Sequence, residues 1–471
     1  MQTKSVVTSL VVLISLLAAV HAEEQPWISL FDGKTLKGWE VIRGDENSAR
    51  VVDGRLTLAG HTQLRLKGNS SDFILTTDVL TESGAVGGLY VPWTVESDPP
   101  ANSRQPLYVC INNSRQWSAS PRTGSLDAVV CQFKSIAKDG EWFKLKIRAQ
   151  GGRTRVWVNG VCVVDALGIA HNDYLILETK YGSTNIFFKD MRLQKLPRDS
   201  ERPNFPPPPD AIDQQVRKLQ QISFPLINYH IHLKGDLTLE KALAHSRETG
   251  VFYGIAANCG RNFPITNDQG IHDYIKKLQG QPCFVGMQAE GREWPTLFSQ
   301  EAIARFDYVF TDAMTIVDHR GRRARLWLPE EVDIPDKQAF MELLVRTIEQ
   351  ILDNEPVDIY ANPTYLPDVL SKEYDALWTP ARLKRVIDAA ARNGVAIEIS
   401  NRLKLPKADF IRRAKQAGVK FTLGTNNSDS KLGREEYALQ MIRACDLKPG
   451  DMFLPKPDGK KPIQVRGFKA K

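Results

Sequence analysis

Two patterns of apolar and polar residues divide this chain. Between Trp27 and Leu196 the apolar positions alternate with polar ones in short runs broken by turn residues. Examples are Arg55-Leu56-Thr57-Leu58, the stretch 73–79, the stretch 142–147, and Arg155-Val156-Trp157-Val158 closed by Asn159-Gly160. Repeated strands without a helical period predict an all-β sandwich. Residues 197–209, with Pro206-Pro207-Pro208-Pro209, predict a stiff extended linker, and 210–221 a short polar helix. From Phe224 onward, strand-like runs alternate with amphipathic helices over 239–249, 340–352, 382–393 and 410–417. About seven such units predict an α/β (βα)7 TIM-like barrel.

The ends of the chain refine this division. Lys4, an apolar run from Val6 to Val20 and the small residues before Glu23-Glu24 give residues 1–22 the form of an export signal cut after Ala22. The expected order is therefore signal peptide 1–22, sandwich 23–197, linker and short helix 198–222, and barrel 223–471. No later segment is apolar enough to span a bilayer, so the expected location is secreted or periplasmic. The 471 residues carry 62 basic and 55 acidic side chains, a net charge of +7. The charges alternate along the chain, and no basic face is interleaved with aromatics, so nucleic acid is not an expected partner. The densest basic group, Arg320, Arg322, Arg323 and Arg325, reads as a solvated face or an anion site. The six cysteines match no zinc-ribbon or redox spacing; a Cys110–Cys131 bridge and buried free thiols both remain open.

Leu30-Phe31-Asp32-Gly33-Lys34-Thr35-Leu36-Lys37-Gly38-Trp39 reads as a strand broken by an Asp-Gly turn, with Trp39 thrown back onto a sheet. As a string it resembles the opening signature of the 3-keto-disaccharide hydrolase domain, a concanavalin-like jelly-roll sandwich of exported bacterial glycan-processing proteins. Val52-Asp53-Gly54-Arg55-Leu56, Gly140-Glu141-Trp142, Val158-Asn159-Gly160 and the run 186–193 follow in that family's order. Two departures stand out. Val86-Gly87-Gly88-Leu89-Tyr90 lacks the family's Asn and Arg, and the strand from Tyr108 to Asn113 lacks its Glu and Asp. Since general acid–base help is worth about 10² to 10⁴ in rate, a sandwich without it is expected to bind sugar rather than cleave it. Sugars stack on aromatic rings and meet amides through their hydroxyls, which makes Tyr90, Trp93, Tyr108, Asn112, Asn113 and Trp117 the candidate binding residues. Core aromatics and turn amides are the alternative reading for these six, whereas Trp39, Trp142 and Trp157 are expected in the core.

In a barrel, functional groups project from the C-terminal ends of the strands. His230 and His232, two apart on the first strand, share a face. Asn258, Glu290, Asp312, Asn362, Glu398 and Asp429 end or follow later strands. A seven-unit barrel opening on His-x-His resembles the polymerase-and-histidinol-phosphatase group of metal hydrolases, relatives of the amidohydrolases. Several of that group's ligand positions are altered: Asn258-Cys259 stands for its Asp-His, Met314 and Asn362 for histidines, and Ser428-Asp429-Ser430-Lys431 keeps the Asp and loses the His of its Ser-Asp-Ala-His. The resemblance leaves His230, His232, Glu290 and Asp429 as ligands for one divalent metal of the zinc or manganese class, or else a hydrogen-bonded histidine pair in a polar mouth. A metal would activate water, with Asp429 or Glu290 as general base. His319 and the Arg322-Arg323 pair could meet an anionic or hydroxyl-rich substrate; Asn258, Asp312, Asn362 and Glu398 are secondary candidates.

The leading expectation is an exported hydrolase acting on a carbohydrate or glycoside, with a one-metal barrel and a sugar-binding sandwich. The alternatives are 3-keto-glycoside hydrolysis in the sandwich beside an inert barrel, and a carbohydrate-binding protein without catalysis.

Overall fold

The computed structural model describes residues 25–45, 47–66, 72–91, 107–114, 120–167, 175–180, 182–197 and 210–468. The segment expected to be an export signal, the proline run, Trp93 and Trp117 lie outside these. Among the described residues no helix is long and apolar enough to cross a membrane.

The alternating runs form two antiparallel sheets packed face to face as a jelly-roll-like sandwich. The larger sheet has the order Val161–Leu167, Arg153–Val158, Phe143–Gln150, Phe73–Thr81, Ile186–Lys195, Arg55–Leu58, Ala49–Val52, and Trp27–Ser29 pairs with Ile186–Lys195. The smaller has the order Trp39–Arg43, Thr62–Leu66, Ile176–Thr179, Val86–Val91, Leu107–Asn112. Period-two alternation puts Leu64, Leu177, Leu89 and Val109 of the smaller sheet in one buried core with Leu75, Val79, Leu145 and Ile147 of the larger. The opening signature is a turn. Asp32 Oδ1 accepts from the backbone N–H of Lys34 (2.8 Å) and Thr35 (2.7 Å), and those bonds hold its carboxyl down at about 2. The chain then returns so that Trp39 Nε1 donates to the Leu30 carbonyl at 2.8 Å, with the ring buried. Trp142 and Trp157 are not core residues. They lie half-buried under Lys189 (4.2 Å to the ring centroid) and Lys146 (5.0 Å) respectively, because on these strands Phe143, Val156 and Val158 take the inward positions.

The second half opens with the helix Ala211–Gln220, whose Asp210 and Asp213 form a reciprocal cap. Seven parallel strands then close into a barrel: Ile227–Ile231, Phe252–Cys259, Phe284–Ala289, Tyr308–Thr311, Ile359–Tyr360, Ala396–Ser400 and Phe421–Gly424. Leu239–Thr249, Lys337–Asn354, Pro380–Asn393 and Ala408–Gln416 correspond to the four helices expected from periodicity. Local chemistry sets their ends. Thr238 caps the first, and Gly250 stops it at φ 70°, a conformation that costs glycine little.

One end of the barrel interior is filled by Tyr229, Phe252, Phe284, Tyr308, Phe310 and Phe453. Tyr308 lies across the centre because residues 254 and 286 are glycines; a Cβ on either would come within 2.4 Å of its phenol. Phe133 and Cys131 of the sandwich belong to the same cluster, and Phe133 meets Phe252 edge-on at 5.9 Å. Around this plug, Cys131 N–H donates to Gln220 Oε1 (3.1 Å), Lys134 pairs with Asp307 (2.6 Å) and Arg247 donates to the Cys162 carbonyl (3.3 Å). A sandwich segment thus completes the packing of the barrel. All six cysteines are free thiols, which closes the disulfide alternative.

Candidate functional site

Two constellations stand out, one on each half. In the sandwich, the side of the smaller sheet that faces away from the core carries Gln63, Glu178, Tyr90 and Tyr108. Strand pairing sets their places: Glu178 lies opposite Gln63 on one neighbour and Gly88 on the other, and Tyr90 lies opposite Tyr108. Glu178 is 5% exposed, and its Oε1 accepts from Gln63 Nε2 at 2.7 Å. The two tyrosine rings pack at 4.7 Å between centroids. Gly88 makes the arrangement fit, since a Cβ there would lie 2.6 Å from Tyr108 Cζ and 2.8 Å from its hydroxyl. The Tyr108 hydroxyl is buried without a hydrogen-bond partner of good geometry. Burial, then the charge of Glu178, pushes both phenols above their ordinary value, Tyr108 strongly, so both keep their protons. Lys180 Nζ stands 5.1 Å from the centre of the Tyr108 ring.

Of the expected sugar-binding residues, Tyr90 and Tyr108 therefore share one face beside a carboxylate. Asn112 and Asn113 do not join them. Asn112 Nδ2 donates to the Pro121 carbonyl (3.2 Å), while Asn113 donates to Thr81 Oγ1 (2.9 Å) and accepts from Thr123 and Ser135, so both amides are bound within the fold. The carboxylate missing from the strand at Tyr108 is supplied by Glu178, a residue sequence reasoning passed over. Its signal was a single acid directly after Ile176-Leu177 in the short strand Ile176–Thr179.

In the barrel, His230 and His232 do reach a shared polar mouth with Gln288, Glu290, Asn258, Asp312, Asn362 and Glu398. His230 Nδ1 meets Glu398 Oε2 at 2.6 Å and its Nε2 meets Gln288 Oε1 at 3.2 Å. His232 Nδ1 donates to the Ala256 carbonyl at 3.0 Å, which leaves Nε2 as an acceptor, and that atom is buried beside the Gln288 side chain without a partner of good geometry. Burial, with His230 and Lys234 nearby, holds the His232 ring well below the usual imidazole range and hence neutral. Asn258 donates to Glu290 (2.7 Å) and Gln288 (3.0 Å), and Asn362 donates to Asp312 (2.9 Å). Burial, then Asp312, raises Glu290 to about 7, and burial raises Asp312 as well. Below this layer Asn228 accepts from the backbone of His230 and Thr425 and donates to Glu435, a buried carboxyl raised to about 7 by desolvation.

The expected metal set does not assemble. Asp429 is exposed, and its Oδ1 accepts from the backbone of Lys431 at 2.8 Å, because the chain leaves the last strand at Gly424 and turns outward before reaching it. Among the described residues no group of three or more His, Cys, Asp or Glu side chains converges as a metal site. His230, Glu290 and Asp312 are engaged by protein partners and His232 alone presents an open nitrogen, so these residues do not fit the divalent ion that the resemblance implied. His319 stands outside the mouth on the hairpin Thr315–Val317/Arg323–Arg325, 3.6 Å from Asp333. Arg320, Arg322 and Arg325 pair there with Asp333, Asp318 and Glu331, which makes the basic cluster an ion-paired surface.

Fold and sites define a two-part protein, a β-sandwich with a carboxylate–phenol face joined to a seven-stranded parallel barrel with an amide-rich mouth. A family model described as a 3-keto-alpha-glucoside-1,2-lyase-like domain matches residues 26–194. No curated protein matches the chain. Among solved structures, a glycosyl-hydrolase candidate from Parabacteroides distasonis is 18% identical, with 36% of this chain and 94% of that one covered, at a TM-score of 0.30. The histidinol phosphate phosphatase of Lactococcus lactis is 17% identical over 48% of this chain and 95% of its own, at 0.35. A carbohydrate-binding module of Bacillus subtilis is 15% identical over 34% and 96%, at 0.23.

Proposed function

We propose that this protein is a glycan-processing enzyme whose sandwich acts on 3-keto-glycosides, with Glu178 as the base. The observation that carries the reading is the placement of Glu178: a buried carboxylate, oriented by Gln63, beside two protonated phenols, on the sheet of a domain that matches a 3-keto-glucoside lyase-like family.

The chemistry follows from the substrate class. A ketone at C3 acidifies the proton on C2, so a carboxylate can remove it. As the C2–H bond breaks, its electron pair forms C1=C2 and the C1–O bond to the leaving group breaks. The proton from C2 passes to Glu178, the departing oxygen takes one proton from water, and Glu178 then gives its proton back to solvent, so that the net products are the C1=C2 enone and the free alcohol. Negative charge develops on the C3 oxygen during this step, and a phenol that keeps its proton is a suitable donor to it. Tyr108 suits that role because its hydroxyl is buried beside Glu178 and is held by no hydrogen bond of good geometry. Gln63 holds the carboxylate in one orientation. Export of the enzyme by residues 1–22 belongs to the same proposal.

The test is turnover of methyl 3-keto-α-D-glucopyranoside by the full chain, followed by NMR. Wild type is expected to release methanol with loss of the C2 proton, and Glu178→Gln to fall by about 10² to 10⁴ in kcat. Equal rates in the two proteins would reject the assignment.

A further inference from the structure

We propose that the barrel mouth is a second carbohydrate site, binding an uncharged, hydroxyl-rich ligand through His232 Nε2 and the surrounding amides in place of a metal. The saccharide class rests on the glycan reading above; the site itself does not depend on the chemistry of Glu178.

The starting point is an unsatisfied atom. His232 is 2% exposed and its Nδ1–H is given to the Ala256 carbonyl, so Nε2 presents a lone pair that no protein group meets in good geometry, with the Gln288 side chain beside it. Buried polar atoms are almost always paired, and one left open in a polar mouth calls for a donor from outside. A divalent metal accepts lone pairs and needs several at once. Here the neighbouring groups are committed elsewhere: His230 to Glu398 and Gln288, Glu290 to Asn258, and Asp312 to Asn362. A phosphate would bring negative charge against Glu290, Asp312 and Glu398. Neither ligand suits this lining.

A sugar hydroxyl does. It can give its proton to His232 Nε2 and accept from an amide N–H with the same oxygen, and vicinal hydroxyls repeat that pattern. The amides are in place: Asn258 and Asn426 are half-buried at the edge of the mouth, and Asn426 donates to Asn362 at 3.2 Å. Asn258, Gln288 and Asn362 line this mouth with amides, which recognise neutral polar groups. Lys234, half-buried near Glu290, offers one further donor.

Titration calorimetry on the full chain, with D-glucose and methyl α-D-glucopyranoside as probes, tests this. His232→Phe and Asn258→Ala are expected to bind about tenfold more weakly than wild type or worse, the worth of one buried hydrogen bond. Unfolding midpoints of the variants show that each is folded. Absence of saturable binding by wild type, or binding that survives both barrel variants, overturns the inference. Loss of binding in Glu178→Gln alone would assign the sugar to the sandwich and also overturn it. So would one zinc per chain by elemental analysis of wild type that His232→Phe removes. Turnover by the sandwich is unaffected by any of these outcomes, so the two proposals fail separately.

Discussion

Glu435 is the clearest case of a group held against its own charge, and replacing it with glutamine has a calculable effect. The carboxyl lies wholly buried under the mouth, where it accepts from Asn228 at 2.8 Å, and desolvation raises its value from 4.5 to about 7. A raised folded value means that the unfolded chain ionises first. The stability contribution is therefore fully present below about pH 4.5 and is lost as pH rises through about 7. The penalty is about 1 kcal/mol at pH 5 and about 3 kcal/mol at pH 8 from linkage of these two values. Glu435→Gln has nothing to ionise and its amide oxygen can still accept from Asn228. Urea unfolding of both proteins at pH 5 and pH 8 is the assay. Relative to wild type, the variant should gain about 2 kcal/mol between the two pH values. Glu290 and Asp358, also raised, titrate in both proteins and cancel in the comparison. A difference that does not change with pH, or that shrinks as pH rises, would refute the reasoning.

Three further outcomes are expected. Phe133→Ala empties the plug that the sandwich sets into the barrel, and should lower stability by about 3 to 5 kcal/mol by urea unfolding. Tyr108→Phe keeps the ring against Gly88 and removes only the hydroxyl; its kcat/KM on the 3-keto-glucoside should fall about 100-fold while the unfolding midpoint stays put. Thiol titration of the denatured chain without reductant should count six cysteines, since all six are free.

Much of the architecture was legible because it depends on local periodicity. Alternation at 73–79 and 142–147 marked strands of the large sheet, and polar residues closing apolar runs marked the barrel strands and the mouth they surround. What depends on long-range pairing was not legible. Glu178 meets Gln63 across a separation of 115 residues, and neither carries a motif of its own. Asp429 failed for the opposite reason: Ser428-Asp429-Ser430 looks like a ligand motif, but the loop after Gly424 carries it into solvent. Trp142 and Trp157 show that aromatic type alone does not assign a face, since lysines cover them on the outer side. The integration of the halves through Phe133 had no sequence signal, because a lone Phe in a loop reads the same whether it packs within its own domain or against another.

The central claim is that the sandwich, through Glu178, carries the chemistry. Its most direct measurement is the exchange of the C2 proton of methyl 3-keto-α-D-glucopyranoside in deuterated buffer, followed by NMR with wild type and Glu178→Gln. Enzyme-dependent loss of the C2–H signal in wild type, reduced at least about 100-fold in the variant, is the expected result. Loss of that signal at the same rate in both proteins would contradict it.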